Sequence, residues 1–440
     1  MTRTLPARYF LAAGACLIVA LATGLWGILL TAQAGGGADL TAFIRLRPIH
    51  VTFAVAWIVL AATGSVYAYL PELPVGAERT ARVQFWLLAG AGAGALASYL
   101  GGAFTGREYL EFPWPVSVCI LAAWVCFLSN LVRAALLVPR PWPAYVWMWL
   151  TGGVLFLCTF VEAHLWMLPR FFGSVVGDLT VQWKSYGALV GSWNMLVYGA
   201  SLCLGDRLTG GDCAHRPKAF LLYWLGLANL LFGYAHHTYH VPQAAWIRWM
   251  SFCMSMSEWA ILLSLLWEWT APRPRGGHEA SDAIPRLFLS AASFWIVCNL
   301  LLALLISIPQ VHWFTHGTQV TLAHAMGSTI GINTMILLAV GLHWMLERSR
   351  PGLSARIHLR AGFWIANISL ALFWGGLLVA GLVRGLGTVR EGWSFHEVQE
   401  HVRPLLRFSA GAGAGLSLGL LVLGVQWCVL AVRARRARTL

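Results

Sequence analysis

Residues 318–346, TQVTLAHAMGSTIGINTMILLAVGLHWML, run without an Asp, Glu, Lys or Arg. At about 1.5 Å per residue a helix of that length crosses the roughly 30 Å hydrocarbon core of a bilayer. Two of its residues, His324 and Met326, are potential metal ligands placed where close packing or lipid should exclude polar groups. Positions two apart on a helix point about 200° away from each other. His324 and Met326 therefore cannot hold one ion together, but they can serve two groups on opposite faces of one helix.

Working outward, apolar stretches of spanning length also occupy 9–31, 50–70, 82–103, 113–138, 143–168, 181–205, 218–240, 243–268, 287–308, 358–383 and 408–432. The chain is 58% hydrophobic and 11% charged with a mean hydropathy of +0.68, a balance that excludes a soluble domain. We expect an all-α polytopic membrane protein of twelve transmembrane helices, one membrane domain over 1–440, without the short alternating strands of a membrane barrel. The first span lacks a small-residue cleavage site and is kept as a helix rather than a leader.

The net charge of +13 suits nucleic acid until its distribution is considered. With twelve spans both termini share one side; sorting the 30 Lys and Arg puts 20 on that side and 10 opposite. The positive-inside rule then places both termini in the cytoplasm of a bacterial inner membrane, leaving membrane lipid and not nucleic acid as the partner of the charge. Nine cysteines without a C-x-x-C or C-x-x-C-H argue against a disulfide framework, an iron–sulfur cluster or covalent haem. The segment TAPRPRGGHEASDAIPR (270–286) is the one linker-like piece.

The histidines are not scattered evenly. His215, His278, His358, His396 and His401 fall in loops, and His343 near the inner end of the tenth span, at the interface. His50 opens the second span, His236 and His237 close the seventh, and His324 lies two turns into the tenth, all at a similar depth in the outer third. Ionisable residues at that depth are costly and read as functional. Imidazole is the usual axial ligand of haem iron and a common ligand of copper and non-haem iron.

The stretches PIHVTFAVAW (48–57), GREYLEFP (106–113), LFGYAHHTYH (231–240), SMSEWAILL (255–263) and HWFTHGTQVTLAH (312–324) stand in the order of one family. On them the chain resembles the large catalytic subunit of cytochrome c-dependent nitric oxide reductase, of the haem–copper oxidase superfamily, over essentially all twelve helices, so the fold is expected to be haem–copper oxidase subunit I-like. The resemblance implies a low-spin haem b, a high-spin haem b, a non-haem metal (Fe or Cu) and calcium. By position His50 resembles an axial ligand of the low-spin haem, His324 the proximal ligand of the high-spin haem, and His236 and His237 two ligands of the non-haem metal. Glu108 and Glu111 resemble carboxylates near the propionates, the calcium and the proton uptake point, and Glu258 the buried carboxylate that delivers protons. His316 and His312 fall where the family places groups near the propionates. The implied reaction is 2 NO + 2 electrons + 2 protons giving N2O and water, with electrons from a cytochrome c or copper-bearing donor subunit.

Two departures stand out. The family's sixth helix supplies a third histidine to the metal and a glutamate one turn on, where this chain has Gly187 and no His or Glu in the span. The family's H-x-H in the tenth helix is here His324-Ala325-Met326. A His50/Met326 haem would have a raised potential, because a thioether is the weaker donor to ferric iron; Met326 as plain packing is the other reading. His164, at the outer end of the fifth span, and His240 are candidates to replace the missing ligand, with Tyr186, Tyr234 and Tyr239 as oxygen donors nearby. Oxygen reduction, NO disproportionation, a haem-binding paralogue without turnover and, last, a transporter stay open beside NO reduction.

Overall fold

A computed structural model describes residues 4–33, 40–70, 73, 76–211, 213–270 and 283–437. Residues 271–282 of the linker-like segment, His278 among them, and the last three residues of the basic tail lie outside the described residues. The described chain is helical, with no strand among the described residues. Its principal helices are α1 (Leu5–Gln33), α2 (Leu40–Tyr69), α3 (Ala77–Leu100), α4 (Trp114–Ala135), α5 (Ala144–Glu162), α6 (Val175–Thr209), α7 (Pro217–Phe232), α8 (Ala245–Ser257), α9 (Trp259–Thr270), α10 (Ala283–Ile306), α11 (Pro309–Thr315), α12 (Gln319–Ser349), α13 (Leu353–Val389) and α14 (Phe395–Arg436).

Among the described residues eleven helices are long and apolar enough to cross a membrane, against twelve expected. The difference is the eighth span, which is divided at Glu258 into α8 and α9. Ser257 Oγ donates to the Met254 carbonyl at 2.6 Å, the acceptor an unbroken helix would give the Glu258 amide. That amide turns instead to the Ser255 carbonyl at 3.1 Å. A serine that bonds back to the helix in this way bends it, and here it leaves a carboxylate at the break.

Helix α12 is the most buried of the spans and packs against α2, α6, α10, α13 and α14. Directly after Met326 it widens into a π-helical stretch, Gly327–Thr334. Thr329 Oγ1 donates to the Ala325 carbonyl at 2.7 Å and Thr334 Oγ1 to the Thr329 carbonyl at 2.8 Å, so two hydroxyls supply bonds that the wider turn loosens. Trp57 Nε1 on α2 donates to Thr334 Oγ1 at 3.0 Å, and Tyr69 Oη donates to the Val340 carbonyl at 3.0 Å. Residue numbers rise together along the two helices, so α2 and α12 run parallel. His343, near the inner end of α12, is buried, its Nδ1 2.9 Å from Tyr69 Oη.

Candidate metal centre

Helices α1 and α2 pack closely, and the contact orients His50. Its Nδ1 lies 2.8 Å from the Ala20 carbonyl, so Nδ1 carries the proton and Nε2 is left as a lone-pair donor. The ring is seated on Gly24, where an added Cβ would stand 2.5 Å from His50 Cε1. A histidine that binds a metal through one nitrogen while the other donates to a carbonyl is the usual arrangement. Counting from the Trp57–Thr334 bond, His50 lies seven residues back on α2 and Met326 eight back on α12. Both therefore lie on the N-terminal side of that bond along two parallel helices. Met326 is half-buried and packs against the main core.

His324 is half-buried, and its Nδ1 is buried without a hydrogen-bond partner. The Asn299 backbone of α10 approaches the ring but closes no bond to that nitrogen. The orphaned nitrogen of His324 and the free Nε2 of His50 are donors of the kind that would hold haem iron.

The turn that follows α7, Gly233–His237, carries the next pair. The rings of His236 and His237 are 4.1 Å apart. His236 Nδ1 is held by Ser255 Oγ at 2.9 Å, and the His237 ring stacks on Trp183 of α6 at 5.1 Å. His324, His312 and His316 are close enough to act electrostatically on His237. The pair thus offers two imidazoles with one ring fixed by a hydroxyl.

The third ligand is where the structure departs from expectation. His164 is engaged at both nitrogens, by the Phe160 carbonyl at 2.7 Å and Ser117 Oγ at 2.8 Å, so its ring does not lean toward Gly187. Gly187 faces Tyr234, with room for a Cβ at 3.5 Å. One turn on, where a glutamate would be needed, a Cβ on Gly191 would collide with Leu230 Cγ at 2.6 Å. The GALVG stretch is thus a small-residue face that brings α6 directly against α7. Among the described residues no three His, Cys, Asp or Glu side chains are arranged as they stand to hold an ion. Two imidazoles do not complete the ligand set of a non-haem metal, and the fit there is partial.

The carboxylates are pinned by partners the sequence did not reveal. Arg47, three residues before His50, pairs with Glu108 at 3.7 Å and Glu111 at 3.4 Å. Glu111 is buried, and burial raises its pKa above the ordinary carboxylate value while Arg47 opposes the rise. Arg107 anchors the same loop to α6 through Asp178 at 2.9 Å. Glu258 accepts a bond from Asn229 Nδ2 on α7. Asn229 was legible as a lone amide in an apolar run, a polar group that a membrane helix tolerates only with a partner. An apolar cavity of about 110 Å³ opens between α2 and α6, lined among others by Thr52, Val59, Tyr109, Phe112, Leu189 and Trp193.

Known proteins share this arrangement of helices. The chain is 24% identical over 378 residues to a nitric oxide reductase subunit of Stutzerimonas stutzeri, covering 77% of this chain and 75% of that protein. It is 25% identical over 430 residues to the cbb3-type cytochrome c oxidase subunit CcoN1 of the same organism, covering 87% and 85%. Its fold matches a haem–copper terminal oxidase dimer solved by cryo-electron microscopy with a TM-score of 0.76 at 13% identity, covering 100% of this chain and 85% of that one. The family model for cytochrome c and quinol oxidase polypeptide I matches residues 5–414, and the chain belongs to that family.

Proposed function

We propose that the protein is a nitric oxide reductase-like oxidoreductase of a bacterial inner membrane, one membrane domain with both termini cytoplasmic. The observation that carries this reading is the His236 and His237 pair, rings 4.1 Å apart, with His324 close enough to act electrostatically on His237. His50 and Met326 would hold a low-spin haem b and His324 a high-spin haem b, with His236 and His237 contributing to a non-haem iron or copper. Bound there, these groups would pass electrons singly from a cytochrome c or copper-bearing partner and bind the gas.

The chain's own residues supply the rest. Glu108 and Glu111, tied to Arg47 beside the start of α2, stand where protons would enter from outside and where calcium would bind. Glu258, at a helix break and bonded to Asn229, is a proton carrier that needs no water-filled channel at that point. The apolar cavity suits a small uncharged gas, NO or O2, and excludes ions. GREYLE and Glu258 favour NO over O2 by resemblance. The closed α6–α7 contact favours a second reading, a haem protein that transfers electrons or senses gas without turnover.

Metal and haem content of the purified protein, with spectra recorded with and without CO, separates the two. Two haems plus one non-haem iron or copper, with CO on one haem, supports the enzyme; one haem and no third metal refutes it.

A further inference from the structure

The outer end of the molecule carries a second histidine cluster. His240 follows the turn that holds His236 and His237, and His312 and His316 lie on and at the end of α11, which leads into α12. Their rings form a triangle: His240 to His312 is 5.0 Å, His240 to His316 5.2 Å and His312 to His316 4.6 Å, centre to centre. With a metal–nitrogen bond of about 2.1 Å and a ring nitrogen about 1.1 Å from its ring centre, imidazoles on a tetrahedral ion stand about 5.2 Å apart, and those on one face of an octahedron about 4.5 Å apart. The three observed separations span that interval.

His312 adds an independent sign. It is only 5% exposed, its Nδ1 is held by the Ile306 carbonyl at 3.2 Å, and its Nε2 is buried without any partner. A buried imidazole nitrogen is left bare at a cost unless something binds it. His240 and His316 are exposed, so the cluster opens outward. Tyr239 Oη donates to the Ser307 carbonyl at 3.0 Å and fastens the two segments together beneath the rings. The ring planes meet at 27°, 51° and 31°, and as they stand the nitrogens do not converge, so binding requires the exposed His240 and His316 rings to turn toward His312.

We propose that His240, His312 and His316 bind a divalent first-row transition cation of the zinc class at the outer face, with a ligand set that shares no residue with the His236/His237 pair. Three neutral imidazoles and an open position suit zinc, copper or nickel and not calcium or magnesium. The ion clamps the segment carrying His236 and His237 to the one that feeds His324, and so fixes the spacing of both. The site does not depend on the proposed reaction.

The test is equilibrium dialysis of the full-length detergent-solubilised protein against Zn2+, with metal counted per chain. Wild type should hold one zinc more than His240→Phe or His316→Phe, which keep the ring contact and remove the donor. Their zinc affinity should fall more than about 10-fold, the loss that even an outer-shell change produces. X-ray absorption at the zinc edge should show three imidazoles at about 2.0–2.1 Å. Both rings are exposed, so the variants leave the core intact, and an unchanged haem-to-protein ratio in His240→Phe verifies it. Equal zinc in His240→Phe and wild type overturns the proposal. So does equal loss in His401→Phe, an exposed ring stacked on Trp393 at 4.1 Å, or loss only in His236→Phe.

Discussion

Gly24→Ala tests whether His50 is a positioned ligand or merely a buried ring. The new Cβ would meet His50 Cε1 at 2.5 Å and Nδ1 at 2.6 Å, where ordinary contact begins at 3.4 Å. The ring must therefore retreat from α1 by 0.9 Å, the difference between 3.4 and 2.5 Å. Such a move takes the 2.8 Å bond to Ala20 out of the usual range of about 2.7–3.2 Å. Alanine in a helix is favoured over glycine by about 1 kcal/mol. Overpacking costs about 1–3 kcal/mol and the lost hydrogen bond about 1 kcal/mol. The balance is a loss of about 1–3 kcal/mol by these same terms, concentrated at the ring. The assay is the low-spin haem signal per chain, by reduced-minus-oxidised absorbance and by electron paramagnetic resonance of the ferric state. Gly24→Ala should lose that signal as His50→Ala does. Gly27→Ala, one turn on with 3.9 Å to Phe43, should keep it. A wild-type spectrum and unfolding midpoint in Gly24→Ala would refute the positioning argument.

Four further outcomes are expected. Met326→His should lower the midpoint potential of the low-spin haem in a redox titration, since imidazole is the better donor to ferric iron; an unchanged potential rules out sulfur ligation. Gly191→Ala should cost about 1–3 kcal/mol in denaturant unfolding by forcing Leu230 aside, whereas a Cβ at Gly187 meets only ordinary contact and Gly187→His should raise retained non-haem metal; no gain in metal counts against the His236/His237 site. Glu258→Gln should cut turnover by about 100-fold or more with haem content intact, and turnover near wild type removes Glu258 from the proton route. Glu111 has a folded pKa raised by burial, so its contribution to stability is full below about 4.3, the ordinary glutamate value, and fades as pH rises through the folded value. Glu111→Gln should flatten that slope in unfolding midpoints taken across the range; a slope identical to wild type disproves it.

The spans and the parallel course of α2 and α12 were legible because hydropathy and helical spacing act locally. Glu258 was legible as a suspect but its helix break was not, because the break depends on Ser257 choosing the Met254 carbonyl over solvent. His164 was a reasonable candidate by depth, yet Ser117 on α4, 47 residues away, occupies its second nitrogen. Gly187 and Gly191 read as losses in one dimension; in three they form a packing face that Leu230 and Tyr234 fill. The outer triangle was hidden for a similar reason, since His240 and His312 come from segments far apart in sequence that the Tyr239–Ser307 bond helps draw together.

The seating of His50 also bears on the order of assembly. Everything that sets its tautomer, Gly24 and the Ala20 carbonyl, lies upstream on α1. The ring is therefore oriented as soon as the first hairpin forms, while Met326 lies 276 residues beyond His50 in the sequence. At about 5–20 residues per second that interval lasts on the order of tens of seconds. A nascent chain thus fixes the orientation of one imidazole long before α12 exists.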